Sequence, residues 1–480
     1  MKRTLGLVLG CCTLLSVVPS CATDENDGEI EDGEQDHADG KADAIGSGSV
    51  QAAAILAMVN DPAIDEAALD VDARLSTRVA RNIITNRPYG SLRDLDDVPY
   101  VGPATLAALL RFSIAEGYLK PAMWRRIGSV PAGFRDRYSY GLGHQVVSSG
   151  MRVLVGTPDG VWSAARSTGV FKRVGLPGIT VMFIHVDPAD PNRIYAGGTV
   201  TTGDPMLATF YISSDGGLTF RPASSPSSAD AGGHLGFADF TFVPGKPDHM
   251  IANSSGMMLM VSTDRGATWA LSRRDTTIDT FSYPCHVLAL DPGRIVQRCE
   301  VPLDDAWVGT RSIDPNDPLD LREPRKVLAN GVPGLPDLGN RRPNMIELAA
   351  TRTSFFVGVE GGLYEYDLAS STGRWWYDEP PDAATGTYVG SVWLDPANAQ
   401  HAVFGGFDKR NGSLSVLETH DRGAHVARLM PPTTAIRHLP VVHDIRRNAN
   451  GRFDVVVSDM PSEDPLDAAT YSVYELTVPQ

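Results

Sequence analysis

The sequence predicts a mainly β protein: a single closed β-propeller of seven blades, with six as the alternative, behind a small all-α module. Three observations lead there. A serine–aspartate–glycine turn ending in an aromatic ring returns about every fifty residues, and a strand–proline turn–strand phrase returns beside it. In addition, a strand-like stretch at 123–131 has no blade of its own, while the last unit stops one strand short. Four short strands per unit at this period are the mark of propeller blades.

Taken in order, the chain opens with MKRTLGLVLGCCTLLSVVPSC. Lys2 and Arg3 precede a short apolar run, Leu5 to Val18, which has the make-up of a secretory signal and is short for a spanning helix. Val18-Pro19-Ser20-Cys21 resembles the lipobox of bacterial lipoproteins. That resemblance implies a signal peptide over 1–20, a lipid on Cys21 and a bacterial envelope address. Ala22 rather than an acidic residue after the cysteine implies the outer membrane or cell surface. Residues 21–48 then form an anchor and tether. Between Ala22 and Gly48 there are ten acidic residues and one Lys, too polar to bury a core and expected to stay disordered.

Residues 49–120 are helical in period. Ile55, Leu56 and Val59 share one face, as do Leu75, Val79, Ile83 and Ile84. The phrase Arg87-Pro88-Tyr89 with Ser91-Leu92-Asp94-Leu95, followed by Val98-Pro99-Tyr100-Val101-Gly102-Pro103, resembles the tandem helix-hairpin-helix module of competence-type proteins. In that family the hairpin, here Pro99, Tyr100, Val101 and Gly102, offers backbone N–H groups to a DNA phosphate. Here Tyr100 stands where the first hairpin glycine would be, and Asp96 and Asp97 sit before it. Residues 50–120 carry seven basic and nine acidic side chains, and the whole chain 42 Lys+Arg against 58 Asp+Glu, a net charge of −16. Nucleic-acid binding needs a basic footprint, so a structural or protein-docking role is expected instead.

Residues 123–480 carry the repeats. Ser213, Asp215, Gly217, Thr219 and Phe220 return as Ser262, Asp264, Gly266, Thr268 and Trp269, and in part as Thr419, Asp421 and Gly423. The pattern suits a tight hairpin: Ser and Asp bond the turn backbone, and Gly allows positive φ. The aromatic ring can wedge between sheets. The motif resembles the Asp-box, or BNR repeat, of sialidases and other secreted propellers, where it is structural and lies away from the ligand mouth. One marker per unit gives Ser163, Ser213, Ser262, Ser312, Asp367, Thr419 and Ser472, at intervals of 50, 49, 50, 55, 52 and 53 residues. The phrases at 186–198, 243–255 and 394–406 support the same frame. Pairing 123–131 with the last unit would close the ring and remove its exposed edges.

Cys285 and Cys299 flank a hairpin centred on Pro292-Gly293, which brings them nearly opposite and makes them disulfide candidates. Catalytic residues are not identifiable. The Arg126-Ile127-Gly128 phrase lacks the proline of the sialidase arginine motif and falls on an outer strand. Tyr364 and Glu365 are strand neighbours, which point to opposite faces. The histidines, among them His185, His286, His420 and His443, show no metal-ligand spacing, and no cofactor is expected. The sequence therefore points to a lipid-anchored binding or scaffold protein that meets a protein or glycan through the propeller face. A glycoside hydrolase, sialidase-like, is the alternative, and DNA capture by the helical module a more distant one.

Overall fold

The computed structural model describes residues 45, 50–119, 122–135, 146–149, 151–200, 208–224, 237–254, 259–272, 285–299, 307–322, 325–329, 335–336, 338, 341, 343–349, 351–379, 387–408, 413–424, 426–429, 439–460 and 468–478. The expected signal, Cys21 and the expected tether lie outside them except for Ile45, which is buried in the core of the helical module rather than part of a free tether. Among the described residues no helix is long and apolar enough to cross a membrane.

The helical module consists of α1 (Val50–Asn60), a short π-helical turn (Ala68–Asp72), α2 (Thr77–Thr85), α3 (Leu92–Asp96) and α4 (Pro103–Ala115). Local chemistry sets its starts. Ser76 caps α2 by accepting from the Val79 N–H, Ser91 and Asp94 form a reciprocal capping box at α3, and Pro103 occupies the first turn of α4. The apolar faces meet in one core that includes Ile55, Val59, Leu69, Val79, Ile83, Leu95 and Leu109. Asn60 ties the linking segment down, donating to the Tyr89 carbonyl and accepting from the Tyr89 N–H, both at 2.8 Å. Tyr100 takes φ +71°, the left-handed conformation that a glycine adopts at least cost, and Arg74 does the same in the preceding helix–helix turn at φ 59°. The guanidinium of Arg78 lies 4.1 Å over the Tyr100 ring.

The rest is a seven-bladed β-propeller. Seven antiparallel sheets follow one another, and six take their strands in chain order from the axis outwards. Their innermost strands are Val146–Ser149, Ile179–Asp187, Phe237–Phe242, Cys285–Asp291, Pro343–Leu348, Thr387–Leu394 and Leu439–Arg447, in blades one to seven. These inner strands touch in sequence, and the first also touches the seventh, so the ring is closed. In blade four the third strand pairs with two short outer segments, Asp317–Leu321 and Arg325–Ala329. All seven sequence markers fall on third strands: Ser163, Ser213, Ser262, Ser312, Asp367, Thr419 and Ser472.

Closure uses both ends of the domain. Met123–Arg135 is the outer strand of blade seven, antiparallel to Ala468–Thr477 in a register that pairs Trp124 with Leu476 and Arg135 with Ala468. Ile127 and Val130 of that strand share a core with Val153 and Val155 of blade one and Val456 and Val473 of blade seven. A strand that would otherwise end the sheet with unpaired N–H and C=O groups is thereby satisfied.

The repeated turns share one hydrogen-bond pattern. Gly217 N–H donates to Ser213 Oγ at 2.8 Å, and the Thr219 N–H and hydroxyl both donate to Asp215, at 2.9 and 2.5 Å. Gly266, Ser262, Thr268 and Asp264 repeat it at 2.8, 2.8 and 2.6 Å. In blade six the Gly423 N–H donates to Thr419 Oγ1 at 2.9 Å. Each of the three glycines has φ near +80° and lies against the preceding blade. A Cβ on Gly217 would come within 2.1 Å of Leu154, and one on Gly423 within 1.8 Å of the Trp376 carbonyl. Trp269 is buried, its ring 4.7 Å from that of Phe210 in blade two, so it wedges between sheets as expected.

Candidate functional site: the central channel

The inner strands enclose a cavity of about 240 Å³ on the propeller axis, lined by described side chains from blades two to seven. Its polar wall is built by an irregularity in the strands. The register of the inner strand shifts before Asp239 in blade three, before Ser391 in blade six and before Asp444 in blade seven. Such bulges re-aim the next side chain. Asp239 and Asp444 each accept from the following backbone N–H, of Phe240 at 2.8 Å and of Ile445 at 3.0 Å. Ser391 pins the neighbouring blade by accepting from Ile445 N–H at 3.0 Å, and Asp239 accepts from Val287 N–H at 3.4 Å.

Two charged groupings result. His286 Nδ1 stands 3.1 Å from Asp239 Oδ2, and His185 Nε2 stands 3.8 Å from Asp239 Oδ1. Burial pushes the Asp239 carboxyl up, but the facing imidazoles of His185 and His286 outweigh that and hold it well below the usual carboxylate range. On the opposite side Arg446 bonds Asp444 at 3.0 Å and reaches Glu347 of blade five at 3.6 Å. The Asp444 charge holds the Arg446 guanidinium firmly protonated against the cost of burial. The Nε2 atoms of His185 and His286 are buried without a hydrogen-bond partner. His443 faces the channel from blade seven, with Nε2 2.6 Å from Ser458 Oγ.

A general acid must hold its proton at working pH, whereas Asp239 is kept ionised. The other two channel carboxylates are engaged by Arg446. Arg446 is the one arginine among the described lining residues, so the three arginines of a sialidase site are not assembled there. Arg126 lies on the outer closing strand, hydrogen-bonded to Ser129 and, at 3.5 Å, to Ser472. Tyr364 is buried against Trp375, ring centroids 4.9 Å apart. Glu365 is held inside blade five, accepting from Ser354, Arg374 and Trp376.

None of the repeat, hairpin or cysteine residues singled out in the sequence is among the channel's described lining residues, whereas His185, His286 and His443, read there as scattered histidines, are. The repeated turns end third strands, and Pro99, Tyr100, Val101 and Gly102 form the turn before α4. Cys285 and Cys299 stand opposite each other in the backbone register of blade four. Sequence reading missed Asp239, Asp444 and Arg446 because a bulge has no motif. The break in alternation at Val441-Val442-His443-Asp444 was the signal available.

Comparison with known proteins agrees with the architecture. A GH74 xyloglucanase from Xanthomonas campestris superimposes with a TM-score of 0.50 at 18% identity, over 73% of this chain and 55% of the enzyme. A GH74 enzyme from Niastella koreensis gives 0.49 at 14% identity over 72% and 55%, and YCF48 from Cyanidioschyzon merolae gives 0.43 at 12% over 72% and 98%. The chain thus spans about half the length of the GH74 enzymes. No protein-family model matches the sequence, and no curated protein matches it. The fold and site define a single seven-bladed propeller with a polar, ion-paired channel.

Proposed function

We propose that this is a lipid-anchored binding protein of a bacterial envelope that presents its propeller to a protein or glycan partner. Cys21 carries the lipid, the acidic tether lifts the folded part off the outer membrane, and the channel receives a polar group of the partner. The observation that carries the reading is the ionised Asp239 held by His185 and His286, facing a wall where Arg446 holds Glu347 and Asp444. Such pre-paired groups are rigid hydrogen-bonding partners and weak proton donors. The channel volume is below the ~300–1,000 Å³ usual for whole small-molecule ligands, which suits a terminal sugar or a protruding side chain.

The helical module serves as a spacer or protein-docking element, since its turns are flanked by Asp70, Asp72, Asp96 and Asp97. The purified protein should bind members of a glycan array or an envelope-protein panel, and Asp239→Asn or Arg446→Met should abolish that binding with the fold intact. Release of reducing sugar or sialic acid by the wild type, lost in Asp239→Asn, would instead establish the glycoside hydrolase. A salt-sensitive shift of duplex DNA would restore the nucleic-acid reading.

A further inference from the structure

We infer that His401, Glu418 and His420 in blade six bind a divalent transition metal of the zinc class. His401 ends the turn before the strand Ala402–Asp408, Glu418 is the penultimate residue of Ser413–Thr419, and His420 follows it. Pairing of Ala402 with Thr419 brings the two histidines together, their rings stacked with centroids 4.2 Å apart. His401 Nε2 and His420 Nε2 converge on the same oxygen, Glu418 Oε1, at 3.0 and 3.1 Å. All three ligand atoms lie within 4.8 Å of one another.

The donor set and spacing fit such an ion. Two imidazoles and a carboxylate are the ligands of many zinc sites, and bonds of ~2.0–2.1 Å in a tetrahedron place ligand atoms ~3.3 Å apart. The observed separations need only a slight widening. Asp395 accepts from or faces His401 Nδ1 at 3.0 Å, which fixes the ring and turns its other nitrogen towards the cluster. This is the outer carboxylate that orients histidine ligands at metal centres.

A second observation points to a missing ligand. Glu418 is 1% exposed, yet its Oε2 has no hydrogen-bond partner. Leaving a buried carboxylate oxygen unpaired is costly, and a cation held between the three groups removes that cost. A separate cavity of about 220 Å³, lined by Asp395, His401, Thr353, Glu365 and Arg422, adjoins the cluster at His401. Three protein ligands leave a fourth position for water.

The test uses untagged protein stripped with a chelator and titrated with Zn²⁺ against a chromophoric competitor. One equivalent should bind, Tm should rise on binding, and Co²⁺ should give the visible absorption of a four-coordinate N/O site. His401→Ala and His420→Ala should each abolish the stoichiometric site, and Asp395→Asn should weaken it about 10–100-fold. Absence of both zinc uptake and the cobalt spectrum in the folded wild type would overturn the inference, even if a variant fails to fold. Undiminished uptake by His401→Ala would overturn it equally.

Discussion

Arg166 of blade one holds Asp454 of blade seven through both guanidinium nitrogens, 288 residues further along the chain, with Nη1 at 2.7 Å from Oδ1. Asp454 is fully buried and Arg166 nearly so. Arg166 also lies 3.6 Å from Glu475, which Arg125 of the closing strand and Arg452 bond at 3.0 and 2.7 Å. These ion pairs tie blade one to blade seven, where the first and last strands of the propeller meet.

Removing one partner strands a buried charge. Arg166→Met should destabilise the propeller by about 3–5 kcal/mol, read as a lower urea midpoint, whereas an isosteric double replacement of Arg166 and Asp454 should cost much less. Equal losses in the single and double variants would show that the pair itself does not lock the seam.

The turn glycine of blade two faces two penalties together. Gly217→Ala must hold an alanine at φ +82° and push its Cβ into Leu154, for about 2–4 kcal/mol. Gly117→Ala is the control: φ is +80°, but a Cβ there meets nothing within 4 Å, so only the backbone cost of about 1 kcal/mol applies. A smaller loss at 217 than at 117 would contradict the packing account.

The same turn makes stability sensitive to acid. Burial raises the Asp215 carboxyl, but bonds from Thr219, Ser213 and Leu218 outweigh it and hold its pKa at about 2. With the folded value below the unfolded one, the contribution is complete above the ordinary aspartate pKa of ~3.9 and is lost as pH falls towards 2. Chemical denaturation at a series of pH values should give a shallower acid limb for Asp215→Asn than for the wild type. Parallel limbs would place the acid response elsewhere.

Facing positions in the register predict a disulfide between Cys285 and Cys299 in an oxidising compartment. Protein exported to the periplasm should resist alkylation at both until a reductant is added, and both should then label. Ready labelling without reductant would rule the bridge out.

The seven-bladed ring was legible because its signals are local and recur. A serine, an aspartate and a glycine within five residues build one turn whatever lies around them, so their spacing counts the third strands of the blades. The closing strand could be read by subtraction, as residues 123–131 lack a sheet and 468–477 lack an edge partner. The helix caps at Ser76 and Ser91 are equally local.

The channel and the histidine cluster depended on long-range register. A single-residue shift before Asp239 and Asp444 decides that these carboxylates face the axis, and that shift is set by the pull of neighbouring blades. His401 and His420 flank two consecutive strands of blade six and meet because Ala402 pairs with Thr419. The sequence alone therefore pointed to seven sheets, with six as the alternative, and to how they close, and the structure settled seven. Only tertiary structure decided which charges meet, since side-chain facing follows strand pairing, and pairing is settled when the whole ring packs.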